Sequence, residues 1–446
     1  MAISAVPYGL GMRGTGSWVD EQRPKSYRDY ILHQWPNGMA PLTAMLSRLR
    51  SEAVNDPEFN WWTKALPLQA GAVSAVRRGW PGTDYAYSTP ATSGDTLNIV
   101  VEADLAKEIR RGHNVVIGNS SYPDSEVYAV VNQVEVAGSL SRVSVTLLED
   151  DTDFEHPSAS PTEQGLEAAN RLRVVGNSNP EGGVIPDSIG YDVKKLWNYT
   201  QIFRTPFEIT RTMMKTKLRT GKALQEMERE ALELHSIEME KALFWGRRIE
   251  RIGSNNQPER TTMGLIKSIS TYASDHIYDF TTDDDYNGEE WAGTNNAGAD
   301  WMFTKLANLY MYGRTQKLAF CGMPALLAIQ NSVLAGADYN ISAGEAKYGI
   351  KVTELIMPWG TLLLKTHPLF SYEPSCHNMM VVFEPENLKE RYIDQTFKKT
   401  DKQLRDGGHT AIDGIKNEFL TEMGLEFHFP ETGGILYGVG LDNPSP

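Results

Sequence analysis

The chain has 446 residues, of which 41% are hydrophobic and 22% are charged, so it is neither disordered nor fibrous and is long enough for two or three domains. Its net charge of −14 argues against a protein whose main task is to neutralise nucleic-acid phosphates. The two cysteines, Cys321 and Cys376, have no C-x-x-C spacing, which excludes a disulfide framework and a thiolate zinc site.

The chain opens with a glycine-rich stretch in which residues 9–14, "GLGMRG", satisfy the G-x-G-x-x-G pattern of a dinucleotide-binding turn. Such a turn requires a strand before it and a helix after it. Pro7 interrupts the preceding residues, and no apolar period follows before Pro24. The context argues against a nucleotide site, so we predict no cofactor and interpret the glycines as hinges of an extended arm.

The N-terminus also bears on the compartment. It lacks a cationic start followed by an apolar segment, which is the pattern of an export signal. No run in the sequence approaches the roughly 18 apolar residues of a membrane span. We therefore expect a soluble protein that resides in a reducing compartment and has no membrane partner.

Two short helices are predicted next, at "SYRDYILHQWP" and "APLTAMLSRLRSEAVNDP". In the second, Pro41 suits the first helical turn and Pro57 closes the segment. Its apolar residues, at three- and four-residue spacing, are Leu42, Met45, Leu46 and Leu49. Trp61 and Trp62 follow directly, and we interpret this pair as an anchor that fixes the terminus to a larger surface.

From about residue 90 to residue 152 the pattern changes to strands, at "LNIVV", "NVVIG", "EVYAVVNQV" and "RVSVTLL". A short helix, "DLAKEIRRG", is predicted after the first of them, capped by Asp104 and ended by Gly112. This density of strands predicts a small barrel or sandwich. The acidic stretch "EDDTDFEHPSASPTEQG" has little to bury and is interpreted as a connector.

Residues 198–210, "NYTQIFRTPFEIT", allow two interpretations. Thr205 and Glu208 fit the capping box of a helix. Apolar residues at alternate positions instead indicate a strand. These positions are Tyr199, Phe203, Phe207 and Ile209. We predict a strand, because the residues between them are mostly polar.

A long helix is predicted from Gly221 to Arg251, since nearly all of these residues are good helix formers. It would be about 46 Å long at ~1.5 Å per residue, which is ordinary for a structural spine and long for a compact enzyme. The predicted apolar face comprises Leu224, Met227, Ala231 and Leu234. The glutamates expected outside this face are Glu226, Glu230, Glu233 and Glu240.

The last 180 or so residues mix helices and strands. Helices are predicted at "ADWMFTKLANLYMYG" and "MPALLAIQNSVLAG", and strands at "KLAFCG", "TLLLKT" and "MMVVFEP". The terminal "NEFLTEMGLEFHFPETGGILYGVG" alternates again around a proline-glycine turn. The order of these elements predicts an α+β fold with the apolar strands inside.

Catalytic patterns are weak throughout. The sequence contains no H-E-x-x-H, P-loop or G-x-S-x-G motif. Cys376 and His377 do not form a dyad, because adjacent residues in a strand point to opposite faces. Glu289 and Glu290 beside Trp291 suggest a glycoside hydrolase, but sequence neighbours do not easily face each other across a sugar. We therefore predict no catalytic residues.

One acidic turn, "DDDYNG", is the best candidate for a metal site. Asp283, Asp285, Asn287 and Gly288 fit positions 1, 3, 5 and 6 of a calcium loop. Position 12, which supplies a bidentate glutamate in such loops, is Thr294 here. Because that ligand is missing, we predict a solvated surface turn and no metal site, while the sequence leaves weak cation binding open.

The order of segments is more informative than any single motif. The stretches "PLTAMLSRL", "DPEFNWW", "NYTQIFRTPFEITRT" and "ELHSIEMEKALFWGRR" with "TTMGLI" resemble the major capsid proteins of tailed bacteriophages. The resemblance is to the Hong Kong ninety-seven-type fold, in the subfamily with a small β insertion. It covers almost the whole chain, and its motifs are packing motifs.

The resemblance implies a division of the chain into five parts. These are an N-terminal arm at 1–65, an extended loop at 66–210 with a β module inserted at about 90–152, the spine helix of the peripheral domain at 211–262, an axial domain at 263–390, and a return to the peripheral domain at 391–446. No long helical scaffolding segment precedes the arm in this sequence, so a separate scaffolding protein is expected.

The resemblance also implies a function. Such a protein assembles as hexamers and pentamers into the icosahedral shell around the double-stranded DNA of a phage, and it is not an enzyme. Expected partners are a scaffolding protein, a portal, decoration proteins and packaged DNA in weak, non-specific contact. Expected locations are the virion capsid and, during assembly, the bacterial cytoplasm. An encapsulin-like shell and a carbohydrate-active enzyme remain as alternatives.

Overall fold

The structure is a computed structural model of the chain. It describes residues 40–47, 51–64, 67–138, 140–152, 165–179, 181–182, 185–186, 188–190, 193–216, 222–293, 295–335, 340–347, 350–400 and 414–443. The chain forms two compact units: unit 1 comprises Met1–Trp61 and Leu196–Pro446, and unit 2 comprises Trp62–Lys195. Helices and sheets are both extensive, which confirms the predicted α+β class. The glycine-rich motif and the helix expected at "SYRDYILHQWP" lie outside the described residues.

The described chain begins with one helix and two strands. They are α1 (Pro41–Leu46), β1 (Ser51–Ala53) and β2 (Glu58–Thr63). The helix expected to continue to Pro57 is therefore wrong beyond Leu46. Ser51 instead pairs with Glu390 in a parallel ladder, so a distant strand overrides the local helical pattern. Leu42, Met45 and Leu46 are buried as predicted, and Leu49 lies outside the described residues.

Unit 2 is built around a β-barrel. Its elements are β3 (Ala70–Arg78), β4 (Thr83–Asp84), β5 (Thr96–Glu102), α2 (Ala103–Lys107), β6 (His113–Asn119), β7 (Tyr122–Glu135), β8 (Leu140–Leu147) and β9 (Arg171–Asn177). The strand order is β4-β3-β5-β8-β7-β6-β9, and β9 also pairs with β3. Six antiparallel strands thus close on themselves, and the sheet extends on both sides of the range 90–152.

The barrel encloses its own core because apolar residues alternate along the strands. The interior residues include Leu97, Ile99, Val115, Ile117, Val143 and Val145. The short helix differs from the prediction. It ends at Lys107, its N-cap is Glu102, and Asp104 lies in its first turn, where it pairs with Lys107. Gly112 has a positive φ of 83°, but it forms the turn into β6 and does not end α2.

The remaining helices and strands are interspersed along the chain. The helices are α3 (Arg211–Lys215), α4 (Ala223–Trp245), α5 (Leu265–Tyr272), α6 (Ala297–Tyr310), α7 (Met323–Ala335) and α8 (Pro368–Tyr372). The strands are β10 (Lys194–Tyr199), β11 (Gln201–Thr210), β12 (Ile249–Ile252), β13 (Pro258–Thr261), β14 (Ile277–Asp279), β15 (Gln316–Cys321), β16 (Asn340–Lys347), β17 (Ile350–Met357), β18 (Gly360–Thr366), β19 (Met380–Phe383), β20 (Leu388–Lys399), β21 (Gly414–Phe427) and β22 (Gly434–Tyr437).

Two large sheets organise unit 1. The first has the order β1-β20-β21-β11, with α4 packed on β11 and β21. The second has the order β14-β22-β19-β15-β18-β17-β16 and mixes parallel and antiparallel pairs. β12 and β13 form a separate hairpin, and β2 pairs with β10. The strands and helices predicted in the last third of the sequence are confirmed.

The strand predicted at 198–210 is confirmed over Gln201–Thr210, whereas Asn198 and Tyr199 belong to the end of the separate strand β10. Phe203, Thr205, Phe207 and Ile209 are buried, and the residues between them are exposed. This alternation lets one face of β11 pack against α4 while the other faces solvent.

The spine helix α4 is shorter than predicted. It has 23 residues and ends at Trp245, because Gly246 leaves the helical region with ψ at 148° and the chain turns into β12. The predicted faces are also partly wrong. Leu234 is 50% exposed, whereas Glu240, expected on the polar side, is completely buried. The buried stripe follows Ala231, His235 and Met239 at four-residue spacing.

Candidate assembly surfaces and the groups that hold them

The acidic turn at residues 283–288, the candidate metal site, forms hydrogen bonds with neighbouring side chains of the fold. One oxygen of Asp283 accepts hydrogen bonds from Trp301 Nε1 and Lys305 Nζ, each at 2.8 Å. Burial raises the pKa of Asp283, but the hydrogen bonds from Lys305 and Trp301 outweigh it and hold that pKa below its usual value. Asp285 and Asn287 are exposed, and Thr294 lies outside the described residues. No group of three potential metal ligands occurs among the residues that the structure describes.

The other candidate groups are dispersed in the cores. Burial raises the pKa of Cys321 to about 12 and also raises that of Cys376. Trp291 is buried, and its indole N–H donates to Ser332 Oγ at 2.9 Å. Its neighbour Glu290 is exposed, so the two side chains lie in different environments. These residues stabilise the fold of unit 1.

The buried carboxylate of Glu240 joins three segments of unit 1. The sequence pattern predicted this residue on the polar face of the long helix. Glu240 accepts hydrogen bonds from the backbone N–H groups of Leu42 and Thr43 at 2.8 and 2.7 Å, and from the Thr43 hydroxyl at 2.5 Å. A fourth comes from His367 Nε2 at 2.8 Å. His367 Nδ1 accepts from Leu369 N–H, so its proton lies on Nε2. Glu240 thereby ties α1, α4 and the start of α8 together.

A buried ion pair holds the seven-stranded sheet. Lys317 Nζ lies 3.0 Å from Glu384 Oε1 and also donates to the carbonyls of Tyr312 and Thr432. Burial lowers the pKa of Lys317, and Glu384 opposes this shift. Asn387 donates to the other oxygen of Glu384 at 2.8 Å. All three ammonium protons therefore have acceptors, which fixes the connections around β15 and β19.

A third buried group lies in unit 2. Asp151 is 2% exposed and accepts from the Tyr85 hydroxyl at 2.5 Å and from Leu166 N–H at 3.0 Å. Burial raises the pKa of both Asp151 and Tyr85. The Tyr85 hydroxyl in turn accepts from Ala91 N–H at 2.9 Å. This network holds the segments that flank the barrel strands.

Several large apolar side chains are exposed on both units. On unit 1 they include Ile202, Ile249, Ile252, Met311, Met323 and Tyr372, and on unit 2 they include Leu68, Trp80, Leu140 and Val175. In β2, Trp61 stacks on Phe59 with ring centroids 6.0 Å apart, whereas Trp62 is 63% exposed. Clustered exposed apolar side chains mark surfaces that contact other molecules. No helix in the described ranges is long and apolar enough to span a membrane.

These features describe a chain whose buried charged groups hold elements together and whose exposed apolar groups are available for contact with other chains. The chain belongs to the SU10 major capsid protein family, whose model matches residues 11–440. The major capsid protein of Pseudomonas phage PaMx41 is 23% identical over 445 residues, covering 94% of this chain and 93% of that protein. The resemblance to tailed-phage major capsid proteins is therefore confirmed, and the match favours a phage capsid protein over an encapsulin-like shell or a carbohydrate-active enzyme.

Similar solved structures include two from phages. A chain of Mycobacterium phage Bobi has a TM-score of 0.44 and 6% identity, with coverage of 96% of this chain and 97% of that chain. The capsid of Myoviridae phage XM1 has a TM-score of 0.43 and 8% identity, with coverage of 93% and 96%.

Proposed function

We propose that the chain assembles as hexamers and pentamers into the icosahedral shell that encloses the double-stranded DNA of a tailed phage. The observation that carries this proposal is the family match, which spans residues 11–440 and includes both compact units. In this proposal the protein is a structural component and not an enzyme. It is assembled in the bacterial cytoplasm and ends in the virion capsid.

Within such a shell we assign the five parts of a Hong Kong ninety-seven-type subunit. They are the arm at 1–65, the extended loop with its β module at 66–210, the spine helix at 211–262, the axial domain at 263–390 and the returning tail at 391–446. Unit 2 supports the second assignment, because its compact range, Trp62–Lys195, falls almost entirely within the proposed loop. The barrel is assigned to the outer surface of the shell.

Two of these five proposed parts pack against other parts within unit 1. Part of the proposed arm, α1, lies in the main core together with Leu243 and Phe244 of the spine helix. In the proposed tail, β20 and β21 belong to the four-stranded sheet, whereas β22 joins the sheet of the proposed axial domain. The tail thus contributes to both sheets of unit 1.

The proposed partners follow from the same assignment. They are a separate scaffolding protein, a portal and decoration proteins, besides other copies of the chain. The net charge of −14 supports weak, non-specific contact with packaged DNA, because a lining that bound phosphates tightly would impede packaging and release.

Co-expression of the chain with its scaffolding protein tests the proposal. Electron microscopy of the purified product should show closed icosahedral particles in which this one chain occupies both hexamer and pentamer positions. Particles that need a second shell protein at the hexamers would contradict the proposed role, as would monodisperse monomers under all assembly conditions.

A further inference from the structure

The hairpin formed by β12 and β13 is a largely exposed element of unit 1. All four residues of β12 are exposed, and Ile252 is 76% and Ile249 52% exposed. Ile202, at the start of β11, is 57% exposed beside the same hairpin. Leaving a large aliphatic side chain in water forgoes about 1.5–3 kcal/mol that its burial would contribute. Ile249 and Ile252 are three residues apart along β12 and therefore lie on opposite faces of the hairpin, so each face exposes an apolar side chain to a partner.

The hairpin is held in place by aromatic residues of β10. The Arg248 guanidinium lies 3.7 Å from the ring centroid of Trp197 and donates to the Trp197 carbonyl at 2.7 Å. Arg260 lies over the Tyr199 ring at 5.8 Å. A two-stranded hairpin without a core is marginally stable by itself. These cation–π contacts instead fix its orientation, so its isoleucines are presented to a partner at little further entropic cost.

The charges of the hairpin are balanced on each face. Glu250 pairs with Arg260 on one face and Arg251 with Glu259 on the other, each at 2.7 Å. Their sum is zero in a chain whose net charge is −14. Two copies of so acidic a chain repel one another, and contact is least unfavourable where the local charge is zero and the signs alternate. The hairpin meets that condition for contact with a second copy.

A groove of about 460 Å³ separates the hairpin from the edge of a sheet. It is lined by Thr200, Gln201 and Ile202 on one side and by 257–261 on the other. β11 is a ten-residue edge strand: it pairs with β21, and no strand in the described part of the chain pairs with its other side. Edge strands accept an additional extended segment through main-chain hydrogen bonds.

We propose that the β12–β13 hairpin and the adjoining groove dock a second copy of this chain, with an extended segment of that copy lying along the free edge of β11. The proposal rests on the proposed function, because it assigns one of the contacts from which the shell is built. The isoleucines supply apolar contact, the balanced charges permit approach, and the edge of β11 supplies the hydrogen bonds.

The first test is the pair of substitutions Ile249→Asp and Ile252→Asp, separately and together, in the full chain with its scaffolding protein. Both side chains are exposed, so the circular dichroism and melting temperature of the free subunit should be unchanged. The yield of particles in sedimentation should fall at least tenfold in the double variant. Val136→Asp, at a 48% exposed position directly after β7 of the barrel, is the matched control and should assemble normally.

A second measurement tests directly whether β11 and the hairpin are covered in the particle. In hydrogen exchange, the amides of 201–210 and of 249–261 should be better protected in particles than in free subunits. Normal assembly of the double variant, or equal exchange in the two states, would overturn the docking proposal. Failure of the wild-type chain to form any particle would instead count against the proposed function.

Discussion

At the scale of single residues, the buried Glu240 decides how unit 1 is held together. Its carboxylate accepts four hydrogen bonds, three from Leu42 and Thr43 and one from His367. The sequence places Glu240 among the glutamates of a helical polar face, and local spacing could not reveal the contrary. The donors lie 127 to 198 residues away, so only the tertiary fold brings them to this carboxylate.

Glu240→Gln should lower the free energy of unfolding of unit 1 by about 3 kcal/mol, because an amide nitrogen would then face donors that need an acceptor in a dry site. Equilibrium unfolding in urea, followed by circular dichroism, measures the change. Glu230→Gln on the exposed side of the same helix is the control and should shift stability by less than about 0.5 kcal/mol. Equal effects of the two substitutions would show that the hydrogen bonds of Glu240 do not contribute to the stability of unit 1.

At the scale of elements, alternating and helical patterns of apolar residues predicted most helices and strands of two kinds. These are the strands that pair with neighbours close in sequence and the elements whose pattern extends over many residues. β11, α6, α7 and the strands of the barrel between 96 and 147 follow their patterns. β3 and β9 were not predicted, since small and charged residues interrupt their alternation and they close the barrel by pairing with each other. The end of α4 was also missed, because charged helix formers continue beyond Gly246.

Gly246 marks the point where the spine helix must stop. A Cβ at this position would lie 2.4 Å from the carbonyl oxygens of Ala242 and Thr262, both of them backbone atoms that cannot move aside freely. Gly246→Ala should therefore destabilise unit 1 by about 2 kcal/mol or more and lower its melting temperature. Gly176→Ala, where a Cβ would meet nothing within 4 Å, should be nearly neutral. A neutral Gly246→Ala would mean that the turn after α4 relaxes easily.

At the scale of the whole molecule, the two units have separate cores. The barrel core involves residues of unit 2, whereas the two largest clusters of unit 1 lie on α4 and on the seven-stranded sheet. The family was predictable because the order of segments spans nearly the whole sequence. The contact surfaces were not predictable from the sequence, because the exposure of Ile249 and Ile252 depends on the position of the hairpin in the tertiary structure.

Residues 62–195, expressed alone, should fold and unfold cooperatively, because the closed barrel buries its apolar face without help from unit 1. Thermal circular dichroism provides the measurement. Ile117→Asp, at a completely buried position, should abolish the transition. A gradual, non-cooperative melt of the unaltered fragment would show that the barrel depends on the rest of the chain.

The barrel can close only after its last strand, β9, has been synthesised. The last pairing joins Ala70 to Arg173. At about 5–20 residues per second, the ribosome completes β9 roughly 5–20 s after β3. During that interval residues 70–72 of β3 lack the strand with which they pair in the closed barrel, and nascent copies on one messenger lie close together. Translation speed through this segment is therefore a determinant of how many subunits close their own barrel before they meet a neighbour.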